Sequence, residues 1–129
     1  MTNQKLTIDA LFSDSGPFDE DAVVRVLLPH IVIQKPDYEI FFKDTKLSAQ
    51  RKILAYALAK TLLKYKNLIE NETITALEVY EKTGLKKGTV DPNIKLLKEK
   101  GLFAGRGAYE IPFYKIAEVI QLINQQEQN

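Results

Sequence analysis

Glycine punctuates the stretch from Ile74 to Ile111, ITALEVYEKTGLKKGTVDPNIKLLKEKGLFAGRGAYEI, and this spacing constrains the chain more than any other feature. Thr75 opens its first segment: a threonine hydroxyl at a helix start accepts from a free backbone N–H, and Glu78, three residues on, can reach back to the cap residue's own N–H. Ile74 and Val79 occupy the two positions of a hydrophobic staple, before the cap and at the fourth helical residue. Gly84 then ends the segment, because glycine adopts the left-handed conformation after a last turn most cheaply, and Lys82 lies near the negative end of the helix dipole. The result is a short helix followed by Leu85, an apolar plug between helices, and a turn at Lys86, Lys87 and Gly88.

A second helix is predicted from about Thr89, with Pro92 in its first turn, where the missing N–H is not needed. Val90, Ile94, Leu97 and Leu96 recur at helical spacing and give it a buried side, while Asn93, Lys95 and Lys98 fall towards the other. Gly101 stops this helix and Leu102-Phe103 opens a strand. Gly105-Arg106-Gly107 has the composition of a hairpin loop, and Tyr109 and Ile111 alternate in the returning strand before Pro112 closes it.

The capped short helix, the Gly84-Leu85 turn, the Thr89-Val90 helix start, Leu97, the Glu99-Lys100-Gly101-Leu102 exit and the Gly-Arg-Gly hairpin together resemble the winged helix-turn-helix superfamily of DNA-binding regulators. The resemblance covers residues 53 to 111. It implies a mainly α fold with a small β-hairpin wing, carrying N-terminal and C-terminal additions: an arm with a small helix or strand extension over 1–46, the winged core over 47–112, and a terminal helix with a frayed tail over 113–129. It also implies a sequence-specific, double-stranded DNA-binding regulator of transcription, acting as a homodimer, without catalysis or cofactor; the last helix is either part of the core or the dimer contact, and the N-terminal part either packs on the core or builds the dimer. Winged helices serve as protein-docking modules too, and that alternative stays open, with Tyr38, Phe41 and Phe42 as the contact cluster.

Charge distribution favours DNA more than the net charge of +1 suggests. Residues 1–42 hold three Lys/Arg against seven Asp/Glu, residues 43–107 fourteen against seven, and residues 108–129 one against three. Basic charge is thus concentrated on the segment that carries the helix pair and hairpin, and phosphate neutralisation supplies most non-specific affinity for DNA. Lys87, Thr89, Asn93 and Lys95 are the candidates for base edges, since Lys donates to guanine O6 and N7 and Asn pairs with adenine. Lys86, Lys98 and Lys100 suit phosphates, and Arg106 between two glycines suits the minor groove or a phosphate clamp. Two positions depart from the superfamily pattern. Asp91-Pro92 stands where Ser or Arg is frequent, and an aspartate there repels phosphate unless it accepts a hydrogen bond from cytosine N4. Tyr80 replaces a small residue, so the two helices are expected to pack further apart.

The remainder reads as scaffold. Residues 1–16 are polar and acidic, with Leu6, Ile8, Leu11 and Phe12 as their apolar content, and read as an irregular arm. Asp19, Glu20 and Asp21 suit a helix N-terminus and Pro29 stops the element, although Val23, Val24 and Val26 favour strand. Ile31-Val32-Ile33 and Tyr38 to Phe42 are either two strands or one strand and a helix end; periodicity leaves both open. Leu47 to Tyr65, capped by Ser48 and rich in alanine, is the most secure helix, with an apolar face of Ile53, Leu54, Ala57, Leu58, Thr61, Leu62 and Tyr65. The resemblance makes it the first helix of the winged core. Phe113 to Gln125 is a further amphipathic helix with a stripe of Phe113, Ile116, Ala117, Ile120 and Ile123.

Chemistry has little to work with. Cysteine is absent, which removes disulfides, thiolate nucleophiles and cysteine metal sites. His30 is the one histidine, and no glycine-rich phosphate loop precedes a helix. No apolar run is long enough to span a membrane and the first residues lack a signal peptide's pattern, so the expected address is the cytoplasm.

Overall fold

The computed structural model describes residues 19–43 and 46–125. Among these the chain is mixed α/β, with five α-helices, one two-stranded and one three-stranded antiparallel sheet. The irregular arm expected over residues 1–16 lies outside the described residues, as do the last four residues of the tail.

The first helix, α1 (Glu20–Leu27), is capped by Asp19, whose carboxylate accepts from the Ala22 N–H at 3.0 Å. Helix therefore wins over the strand propensity of its valines, two of which, Val23 and Val26, are buried. The open choice for the next segment resolves as two strands, β1 (Ile31–Gln34) and β2 (Glu39–Phe42), paired with Ile31 opposite Phe42 and Ile33 opposite Ile40. Ile31 and Ile40 turn inwards, whereas Val32 and Phe41, also opposite one another, remain exposed.

Helix α2 (Ala49–Tyr65) starts at Ser48, whose hydroxyl accepts from the Arg51 N–H at 3.3 Å. It closes with Asn67 in the left-handed conformation and the Leu68 N–H on the Leu63 carbonyl, the pattern that satisfies orphan carbonyls at a helix end. The expected one-sided apolar face requires correction: every residue from Ile53 to Ala59 is buried, including Ala55, Tyr56 and Ala59, while Tyr65 is exposed. Four helices pack on α2, namely α1 and α5 from the two ends of the chain and α3 and α4 from the middle, so it is a shaft through the core.

Next comes β3 (Ile74–Thr75), a two-residue strand that no periodicity announces, leading into α3 (Ala76–Thr83). Thr75 caps α3 as expected, accepting from the Glu78 N–H at 3.1 Å, and Gly84 closes it at φ 76°. The Glu78 carboxylate does not turn back to the cap; it crosses to α2. Helix α4 (Lys87–Glu99) begins two residues before the expected Thr89, with Lys86 as its cap residue. Pro92 consequently sits in the second turn, not the first, and its absent N–H leaves the Gly88 carbonyl without the usual helical donor.

Gly101 at φ 78° ends α4, with the Leu102 N–H returning to the Leu97 carbonyl at 2.9 Å. Leu102 and Phe103 are buried in the core and do not open the strand; β4 is Ala104–Arg106, paired with β5 (Ala108–Glu110). The hairpin turns at Gly107 alone, so Gly105 and Arg106 belong to the strand and not to a loop. The second sheet has the order β3-β5-β4, with Tyr109 opposite both Ile74 and Gly105. A 3-10 turn (Phe113–Lys115) introduces α5 (Ile116–Asn124). Its core side is not the expected stripe: Ile116, Val119 and Ile123 are buried on the helix that contacts α1 and α2, whereas of the stripe Phe113 and Ala117 face outwards and Ile120 is half-buried.

Candidate nucleic-acid interface

Of the eight residues singled out from the sequence, Lys100 is the exposed residue that closes α4, and the other seven fall into four groups. Lys86 and Lys87 are exposed at the start of α4, where Lys86 makes no side-chain cap and its ammonium is available. Thr89 and Asn93 lie one turn apart on one flank of the helix, both half-buried, and the Asn93 amide donates to the Thr89 carbonyl at 2.8 Å. Asn93 is thereby turned into its own helix, not out towards a base edge. Lys95 and Lys98 occupy the other flank, exposed, beside Asp91. Arg106 stands exposed at the end of β4, opposite Ala108 across the Gly107 turn.

Lys95 and Lys98 share a shallow cleft of about 320 Å³ with Ala76, Asp91, Ile94 and Tyr109. Three elements meet there: the first turn of α3, the outer flank of α4 and the central strand of the second sheet. The Tyr109 ring lies 6.2 Å from the buried Phe103 ring at an interplanar angle of 21°, which anchors it. The Lys98 ammonium stands 6.0 Å from the centre of the same ring, within the reach of a cation–π attraction. In the sequence Tyr109 is only an alternating strand residue; its role in ordering a lysine depends on the register β5 takes.

The described cations divide into ion-paired and unpaired ones, and the unpaired ones include Lys35 and Lys64 outside this face. Arg25, Lys60, Lys66, Lys82 and Lys115 each sit within 4.0 Å of a carboxylate. Lys86, Lys87, Lys95, Lys98 and Arg106 make no ion pair with any described residue. Asp91 lies among them, beside Lys95 and Lys98, and the excess of positive charge that remains is the condition under which a surface attracts polyanions.

Tyr80 explains how an aspartate is tolerated here. Its hydroxyl donates to the Asp91 Oδ1 at 2.5 Å, joining α3 to α4 at the exposed side of their contact. This hydrogen bond, with burial and the nearby carboxylate charge behind it, pushes the phenol up to about 12. Tyr80 and Asp91, the two positions set apart in the sequence, are therefore partners of one another.

A separate polar cluster braces the pair from behind. Glu78 Oε2 accepts from the Tyr56 hydroxyl at 2.5 Å and from Lys60 Nζ at 2.8 Å, linking α3 to α2. Burial, followed by the hydrogen bond to Glu78, raises the Tyr56 phenol far above its ordinary value. His30 is shifted downwards by burial and by the charge of Lys43, and it sits in the turn between α1 and β1, where its backbone N–H donates to the Leu27 carbonyl at 2.9 Å. Among the described residues, no group of His, Asp or Glu is arranged to hold a metal ion, and no helix is long and apolar enough to cross a membrane.

No family model matches the sequence, and no match was found among the curated proteins or the solved structures.

Proposed function

We propose that this chain is a winged helix-turn-helix protein that binds double-stranded DNA and regulates transcription in the cytoplasm as a homodimer. The observation that carries the reading is the exposed cluster of Lys86, Lys87, Lys95, Lys98 and Arg106 on one helix and the adjoining hairpin, in which Asp91 is the acidic member. The element order α2, β3, α3, α4, β4, β5 with strand order β3-β5-β4 supports it, since this arrangement puts a hairpin beside the second helix of a helix pair. In the reading, α4 enters the major groove and Arg106 flanks it at the minor groove or backbone. A second copy pairs through a surface other than the buried side of α5, which the core occupies; Leu28, Val32 and Phe41 are exposed apolar residues suited to it.

A protein-docking role has its own support. Val24, Leu28 and Val32 rim an apolar groove of about 310 Å³ between α1, β1 and α2, and Phe41 is exposed beside Val32. One experiment separates the readings. Fluorescence anisotropy with a mixed-sequence duplex at two salt concentrations is expected to show binding that falls steeply with salt in the native chain and is lost in Lys95→Glu/Arg106→Glu. Absence of binding at low salt, or binding insensitive to salt, would overturn the DNA reading and favour docking.

A further inference from the structure

Within the basic face of α4, Asp91 is the one acidic side chain between Lys86 and Lys98. It is exposed, and its Oδ1 is held by the Tyr80 hydroxyl while its second oxygen takes no hydrogen bond from a described residue. A loose carboxylate at this place would only weaken phosphate attraction. A fixed one can do something a lysine cannot, which is to accept a hydrogen bond from a base.

We propose that Asp91, oriented by Tyr80, reads cytosine, so that α4 selects a C·G pair in the major groove. The inference rests on the DNA-binding reading above and adds the base it prefers. Only two groups in the major groove donate, cytosine N4 and adenine N6. Adenine N6 stands next to the N7 acceptor, whose lone pair opposes a carboxylate, whereas cytosine carries no neighbouring acceptor on its own edge. Lys95 lies four residues further along the same flank, about 6 Å along the axis, and donates to guanine O6 or N7 in the same pair or a nearby one. Tyr80 contacts no base in this scheme. It is a positioning residue: its hydrogen bond selects one Asp91 rotamer and leaves the free oxygen outward, so that the carboxylate is ordered before DNA arrives.

The test is selection from a randomised duplex library, followed by anisotropy on the selected and a scrambled duplex, with the native chain, Asp91→Asn, Asp91→Ala and Tyr80→Phe. The native chain is expected to enrich cytosine at one position of each half-site. Asp91→Asn, close in shape, is expected to change that position to adenine, because an amide pairs with adenine N6 and N7 together. Asp91→Ala removes the preference, roughly tenfold or more in relative affinity, while binding to the scrambled duplex holds or rises. Tyr80→Phe weakens the preference with no loss on the scrambled duplex, a result that mere structural damage would not give. If the native chain binds but Asp91→Ala selects the same sequence, the assignment of Asp91 is overturned while DNA binding stands. If no duplex is bound at low salt, the DNA reading itself fails and this inference with it.

Discussion

The hydroxyl of Tyr56 donates to Glu78 at 2.5 Å, tying the middle of α2 to the first turn of α3. Tyr56 is 3% exposed, and Lys60 completes the cluster at 2.8 Å, so α3, which buries Val79 in the core, is also tied to α2 through one carboxylate. Hydrogen bonds to charged groups are worth about 1.5–3 kcal/mol when partly buried. Tyr56→Phe is expected to lower the free energy of unfolding by about 1–2 kcal/mol, and Glu78→Ala by more, because it also leaves Lys60 without its counter-charge. Urea denaturation of the three proteins checks this; a Tyr56→Phe midpoint equal to the native one would show that the bond contributes nothing.

Alkaline sensitivity follows from the same side chain and from Tyr80. Both phenols hold their protons more tightly in the folded chain than in the unfolded one, where the ordinary value is 10. Their contribution is therefore complete below that value and is lost as pH rises, through about 12 for Tyr80 and beyond for Tyr56. Unfolding free energies measured at pH about 9 and about 11 are expected to differ, and the difference should shrink in Tyr56→Phe and Tyr80→Phe. An undiminished difference in both variants would assign the effect to other groups.

The hairpin gives two glycines unlike consequences. Gly105 has φ 122°, and a Cβ there would collide with the Ala108 carbonyl oxygen, which is backbone and cannot step aside. Gly107 has φ 72°, and an added methyl would meet nothing within 4 Å, so only the left-handed conformation opposes substitution. Gly107→Ala is expected to cost about 1 kcal/mol with the hairpin retained, whereas Gly105→Ala should open the β4–β5 turn and displace Arg106. Cross-strand nuclear Overhauser contacts between Gly105 and Tyr109 backbones report the difference; their persistence in Gly105→Ala would contradict the predicted steric clash.

Pro92 offers a gain in stability. In the second turn of α4 it removes a bond to the Gly88 carbonyl and adds ring contact with the preceding turn, a combination that disfavours proline in helix interiors. Pro92→Ala is expected to raise the thermal midpoint, by up to about 3 kcal/mol in unfolding free energy. The position is exposed, so little packing is lost. A lower midpoint would mean that proline restrains the unfolded chain more than it harms the helix.

Local signals were the legible part of this sequence. Thr75, Ser48, Gly84 and Gly101 each act within one turn of chain, and each takes the role its residue type suggests. The failures come from longer range. Glu78 has the spacing of a capping box, but Tyr56 and Lys60, far back in the chain, draw its carboxylate away from the cap. Helix α4 starts earlier than its residue pattern suggests, because Lys86 gives no capping side chain to announce it. Two residues of β3 carry no periodicity, and only pairing with Tyr109 and Ala108 makes them a strand. At the candidate site the cations are plain in the sequence and their organisers are hidden: Tyr80 and Tyr109 act through α3–α4 and β5 contacts that spacing does not encode.

The burial of α2 from Ile53 to Ala59 bears on how the chain comes apart. The α1–α5 pair and the α3–α4 pair share that helix as their common scaffold, and each covers part of it. Detaching either pair strips apolar surface from the helix that the other needs, so the terminal elements and the basic face are bound into one cooperative transition. Amide protons along Ile53 to Ala59 should then exchange last and together, at the rate of global opening. A change at Val23 or Val119, remote from Lys95 in the chain, would alter the occupancy of a competent α4 surface while leaving the identity of every side chain on it intact.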